Sequence, residues 1–193
     1  FAFGGTPGEM SAEELTLAEA LPAAYDRWMV GKWHLASASQ SGYGHPLNEG
    51  FDTHLGPIAN LAGGLVGDAY FDYEKVVDGV PAQSTTYATT EQVDDAIALI
   101  QGASAPWFLC LAFSAPHAPV HAPPQALHSY SLPADVSQDI PLAVRAMVEA
   151  MDTELGRLLA GIPADVLQRT LVVFIGDNGT PDEAVEEPFT FKG

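Results

Sequence analysis

Five consecutive apolar residues, LVVFI at 171–175, run straight into Gly-Asp-Asn-Gly at 176–179 and leave little choice of fold. A run this long, rich in β-branched residues and closed by turn residues, predicts a strand covered on both faces. WFLCLAF at 107–113, opened by Pro106 and followed by Ser-Ala-Pro-His at 114–117, is a second such run, and WMVG at 28–31 a shorter third. Helical patterns separate them. The expected class is therefore α/β, with a mostly parallel or mixed central sheet flanked by helices. In open sheets of this class chemistry collects at the carboxyl ends of the strands. Each of the three ends carries polar residues: Lys32 with His34, then His117, then Asp177 with Asn178.

Between these strands the chain is punctuated as follows. Ser11 with Glu14 makes a capping-box start for a helix through SAEELTLAEAL at 11–21, closed or kinked by Pro22. Residues 36–67 turn to Ser, Gly, Asn, Pro and His and predict a loop-rich excursion over a site. Residues 70–80 alternate apolar and polar side chains around Asp78-Gly79, which predicts a hairpin. Thr89 or Thr90 can cap a helix over TEQVDDAIALIQ, where Val93, Ile97 and Ile100 keep the helical period. A longer helix is expected over about 141–160, with Pro141 in its first turn. Its buried side would hold Val144, Met147, Val148, Met151, Leu155, Leu158 and Leu159. A short helix around 164–169 leads into the last strand.

At 193 residues and 47% hydrophobic, the chain can bury one sizeable core, so one domain is the default. The 25 acidic residues against 7 basic give −18, which argues against nucleic acid and anionic lipid as partners. In so acidic a chain the three lysines, Lys32, Lys75 and Lys192, are the candidates for holding an anion. Cys110 is the single cysteine and sits within an apolar run, so no intrachain disulfide forms and the redox compartment stays open. No apolar stretch is long enough to cross a membrane as a helix. The chain starts without Met and stops in FTFKG, and we expect part of a longer protein.

Taken singly, the polar groups have ordinary readings. Asp-Asn-Gly is common turn chemistry as well as a source of hard oxygen ligands for Ca²⁺ or Mg²⁺. His117 and His121 have helical metal-ligand spacing, but Pro116, Pro119, Pro123 and Pro124 exclude a helix there. His45, His54, His121 and His128 read as loop residues, with His54 placed to border a pocket. Gly31-Lys32 lacks the glycine and hydroxyl pattern of a phosphate-binding loop. Taken together, lysine as a point charge, histidine as acid or base, and a carboxylate with an amide for a hard cation describe a site for a tetrahedral anion ester.

GKWHL at 31–35, APHAPVHAP at 115–123, MDTELGRLL at 151–159 and VVFIGDNG at 172–179 stand in one order along the chain, with GFDTHLG at 50–56 and YFDYEKVVDG at 70–79 between them. This pattern resembles the sulfatases of the alkaline phosphatase superfamily over nearly the whole length, and implies that residues 1–193 are the central part of one sulfatase-like α/β domain. By that resemblance Lys32 contacts sulfate and nucleophile, and His34 hydrogen-bonds a formylglycine hydrate and helps expel sulfate from it. His117 lies near the leaving-group oxygen, and Lys192 is a second sulfate-binding lysine. Asp177 and Asn178 are two of four ligands to Ca²⁺ or Mg²⁺, and Asn60 lies at the pocket wall. The implied substrate is an aryl or carbohydrate sulfate ester. Many bacterial relatives are exported, which leaves the compartment open.

The family's paired amino-terminal aspartates, and the CxPSR or SxPSR sequence whose Cys or Ser becomes formylglycine, do not occur in these residues. LCLAF around Cys110 does not replace them. The expectation is that an upstream segment supplies the nucleophile and that the chain as given is inactive alone. Two rival readings stand beside it: a phosphonate monoester or phosphodiester hydrolase on the same scaffold, and a non-catalytic, anion-binding sulfatase-like module.

Overall fold

A computed structural model describes residues 9–11, 13–177, 179 and 184–185. They fall into two compact units, one of Phe1–Ala62 with Ala69–Ser114, the other of Gly63–Asp68 with Ala115–Gly193.

The first unit is built on a five-stranded mixed sheet. Its strands are β1 (Asp26–Gly31), β2 (Thr53–Gly56), β3 (Tyr73–Val77), β4 (Val80–Ser84) and β5 (Trp107–Ala112), in the order β4-β3-β2-β1-β5. β1 pairs in parallel with β2 on one side and with β5 on the other, from Asp26 opposite Trp107 to Gly31 opposite Ala112. β3 and β4 continue the sheet antiparallel as the expected hairpin, turning at Asp78 and Gly79 with φ of 47° and 84°. Those two left-handed residues match the twist of the strands, which is why Asp-Gly is favoured there. Trp28, Met29 and Val30 of β1 are all buried, as a strand covered on both faces must be.

The helices of this unit are α1 (Leu17–Ala20), α2 (His45–Asn48) and α3 (Ala88–Gly102). The expected helix over 11–21 shrinks to its last turn. Thr16 and Glu19, rather than Ser11 and Glu14, form the capping box, each side chain accepting from the other's backbone N–H. Both pairs have the same sequence signature; Leu15 and Leu17 stay exposed, so no apolar stripe supports a longer helix. α3 begins at Ala88, ahead of Thr89 and Thr90, and its N-cap residue Tyr87 makes no side-chain cap. Instead the Tyr87 ring stacks on Phe71 at 5.0 Å and tilts against Tyr70 at 6.1 Å, so packing fixes this helix start. Gln92 on α3 donates to Ser114 Oγ at 3.0 Å and accepts from Ser114 N, holding the chain just beyond β5.

The excursion at 36–67 contains α2 and a central strand, β2, which hydropathy missed because its buried positions are His54 and Gly56. Around it Trp33, Phe51, Ile58, Met29 and Val76 make the core, with Trp33 edge-on to Phe51 at 5.8 Å and Phe51 stacked on Phe108 at 6.1 Å. Each aromatic pair contributes roughly 0.5–1.5 kcal/mol beyond its buried area.

The second unit holds α4 (Ile140–Gly161) and α5 (Ala164–Leu167). Asp139 caps α4 through Leu142 N, and Pro141 occupies the first turn as expected. Its buried face is Ala143, Ala146, Met147, Ala150, Glu154 and Leu158. Of the expected side only Met147 and Leu158 are fully buried; Val144, Val148, Met151 and Leu155 line an open groove with Phe174 and Ala184. Small residues allow closer approach, so the alanine stripe takes the packed position. The segment 171–177 is not a strand, and Leu171 to Ile175 are 56–87% exposed. A lone five-residue run cannot satisfy its own peptide groups, and no described strand hydrogen-bonds to it.

Candidate functional site

The carboxyl ends of the three parallel strands approach more closely than side chains permit. Gly31 has φ +97°, and a Cβ there would lie 2.0 Å from Ala112 O; Gly56 has φ +156°, and its Cβ would lie 2.2 Å from Gly31 O. Only glycine gives both the conformation and the room. The chain leaves this floor through a turn gripped on both sides. Lys32 N donates to Ala112 O at 2.8 Å, Trp33 N to Pro57 O at 3.1 Å and His34 N to Ile58 O at 2.9 Å. Trp33 points inward and is buried, which directs its neighbours outward. His34 is exposed with φ 56°, a left-handed conformation that costs about 1 kcal/mol and is held by the flanking hydrogen bonds.

Two of the expected site residues meet here. Lys32 Nζ donates to Asn60 Oδ1 at 3.2 Å, so a neutral amide helps to orient the half-buried ammonium. Lys75 is differently placed, with Glu91 at 3.0 Å and Asp95 at 2.6 Å. Tyr73 and Ser84 also donate to Glu91, and this network fastens the β3–β4 hairpin to α3.

His54, expected at a pocket border, is fully buried below Gly31, with Nε2 3.4 Å from Gly31 O and Nδ1 lacking a partner. Burial drives its pKa down to about 4, so the ring is neutral at pH 7. His121 and His128 lie in loops, as expected, whereas His45 opens α2; all three are buried.

His117 and Asp177 belong to the second unit and are exposed. His117 Nδ1 lies 2.9 Å from Ala118 O. A carbonyl can only accept, so Nδ1 is the donor in this contact. Asn178 and Lys192 lie outside the described residues.

The donor set for a cation is incomplete among the described residues: no three His, Cys, Asp or Glu side chains gather as ligands. Asp177 alone falls far short of the six to eight oxygens that Ca²⁺ takes.

One connection escaped the sequence reading. Trp33 Nε1 donates to His45 Nδ1 at 3.2 Å, and His45 Nε2 lies 3.6 Å from Glu49 Oε1, all three residues being buried. The i, i+4 spacing of His45 and Glu49 in HPLNE was the available signal.

A mixed α/β sheet with a lysine in the turn beyond the middle of its three parallel strands is an arrangement in which open α/β folds place ligand sites. The sulfatase family model matches residues 4–187, and the chain belongs to that family. It is 30% identical to N-acetylgalactosamine-6-sulfatase of Mus musculus and 29% identical to that of Rattus norvegicus, each match covering 91% of this chain and 34% of the relative. The chain thus spans about a third of the length of these curated relatives. The crystal structure of Ps i-CgsB matches with a TM-score of 0.63 over 82% of this chain and 38% of that one, at 20% identity, which shows a shared fold.

Proposed function

We propose that the complete protein hydrolyses sulfate esters of carbohydrates. The observation that carries this reading is the Lys32–Asn60 pair in the turn beyond β1, presented by a chain of the sulfatase family. In this reading Lys32 binds an anionic oxygen of the sulfate group and stabilises charge that grows as the ester bond breaks. His34, exposed in the same turn, exchanges a proton with the nucleophile, a formylglycine supplied from outside these residues. His117 acts as an imidazolium that gives its Nε2 proton to the leaving oxygen, which departs as an alcohol only if protonated. Lys192 is assigned the second sulfate contact. Asp177 and Asn178 are assigned to a Ca²⁺ or Mg²⁺ site completed by further ligands, where the cation would supply Lewis-acid stabilisation.

N-Acetylgalactosamine 6-sulfate is the first sugar to test, because the similar mouse and rat proteins are N-acetylgalactosamine-6-sulfatases. Paired assays of the full-length protein on aryl sulfate and aryl phosphonate esters are expected to give the larger kcat/KM for sulfate. A preference for the phosphonate would transfer the site to the rival hydrolase class. Sulfate binding without turnover would make it a binding module.

A further inference from the structure

A buried carboxylate and a buried imidazole sit behind the Lys32–His34 turn, and neither is used by the chemistry assigned above. Glu49 is 4% exposed and His45 5% exposed. Burying such groups costs several kcal/mol unless they engage one another. Their partners are specific. The Trp33 indole N–H has only a hydrogen to offer, so His45 Nδ1 must accept at 3.2 Å and the ring proton sits on Nε2. That nitrogen faces Glu49 Oε1 at 3.6 Å. Burial raises the Glu49 carboxyl, His45 opposes that rise and Glu19 adds to it. Glu49 is fixed in turn by its own backbone: its carbonyl accepts from Thr16 Oγ1 at 2.8 Å, and its N–H donates to His45 O at 3.1 Å. Gly50, next in the chain, passes so close to Glu19 that a Cβ would lie 2.9 Å from Glu19 N. The chain Glu49–His45–Trp33 therefore runs from the capped start of α1 through α2 to the one inward-pointing residue of the turn.

We propose that His45 and Glu49 are positioning residues, which act through the Trp33 indole to hold Lys32 and His34 in their outward geometry. The inference rests on the sulfatase reading only for its catalytic consequence. Trp33 lies between the two outward residues, so a displacement of its anchored ring that carries the Trp33 backbone with it shifts both at once. A displacement of about 1 Å in such a turn is enough to lower a rate by two orders of magnitude.

The test uses the full-length protein with His45→Leu, His45→Asn and Glu49→Leu. Asn keeps an acceptor near the position of Nδ1, whereas Leu removes it. In His45→Leu the amides of Trp33 and His34 are expected to exchange with solvent about tenfold faster while those of Met29 and Val30 in β1 keep their protection. On a sulfate ester, kcat is expected to fall about tenfold or more with KM changed by no more than about twofold. His45→Asn is expected to recover most of both losses, and Glu49→Leu to give the same pattern more weakly. Unchanged exchange at Trp33 and His34 would overturn the proposal. So would equal loss of protection in β1, which would mark a structural role, or failure of Asn to rescue. If the wild-type protein released no sulfate, the sulfatase reading would fail, and the exchange pattern alone would decide the positioning role.

Discussion

Lys32 and Asn60 are separated by 28 positions in sequence and joined by one hydrogen bond, which makes their contributions separable. Lys32→Ala removes the charge itself, and kcat/KM of the full-length protein on an aryl sulfate is expected to fall about 100-fold or more. Asn60→Ala leaves the ammonium but loosens its direction, and a loss of about threefold to tenfold is expected. Equal losses would mean that Asn60 touches the substrate as well as the lysine. His54 makes a different prediction. Its pKa is about 4 in the folded chain against 6.5 unfolded, so between these values the unfolded state binds the proton that the folded state refuses. Stability is full above pH 6.5 and declines as pH falls towards 4, by on the order of 3 kcal/mol in total. His121, also held down by burial, acts in the same direction. Thermal melts from pH 7 to 4.5 are expected to show this decline, with a shallower slope in His54→Leu.

The elements show where sequence patterns carry information and where they do not. β1, β5, the hairpin turn and α4 were legible because each has a local signature: a continuous apolar run, Asp-Gly, or a helical period opened by Pro141. β2 was not, since a strand whose buried positions are histidine and glycine owes its place to neighbours rather than to hydropathy. The apolar run at 171–175 misled in the opposite sense, because a strand requires a partner ladder that composition does not report. In the site, the lysine and its turn were visible as GKWHL, whereas the Asn60 contact and the His45–Glu49 chain depend on long-range packing. Two element-scale outcomes follow from contacts described above. Gly31→Ala would drive a methyl into Ala112 O and requires a strained φ, so a loss of more than about 2 kcal/mol in denaturant unfolding is expected. Lys75→Ala leaves Glu91 and Asp95 facing each other without their shared cation, 3.0 and 2.6 Å from where it was. That change is expected to cost about 3 kcal/mol, largely recovered when both carboxylates are also replaced by neutral residues.

At the scale of the molecule, five neighbouring large apolar side chains at 171–175 stand in water, the least of them 56% exposed. A contiguous exposed apolar run that no described strand pairs with is a template for pairing with another chain. Residues 1–193 expressed alone are expected to self-associate, and Val173→Lys to shift light scattering towards the monomer. A monodisperse monomer without the substitution would show that the run is covered some other way. The glycine floor under the Lys32 turn bears on how such a site can change. Because Gly31 and Gly56 meet Ala112 and each other through backbone atoms alone, no side chain there is available for selection to alter, and the floor is fixed as a unit. Variation is confined to the loops that rise from it, so libraries aimed at new ester substrates should leave positions 31 and 56 untouched, keep Lys32 and Asn60, and diversify other residues of those loops.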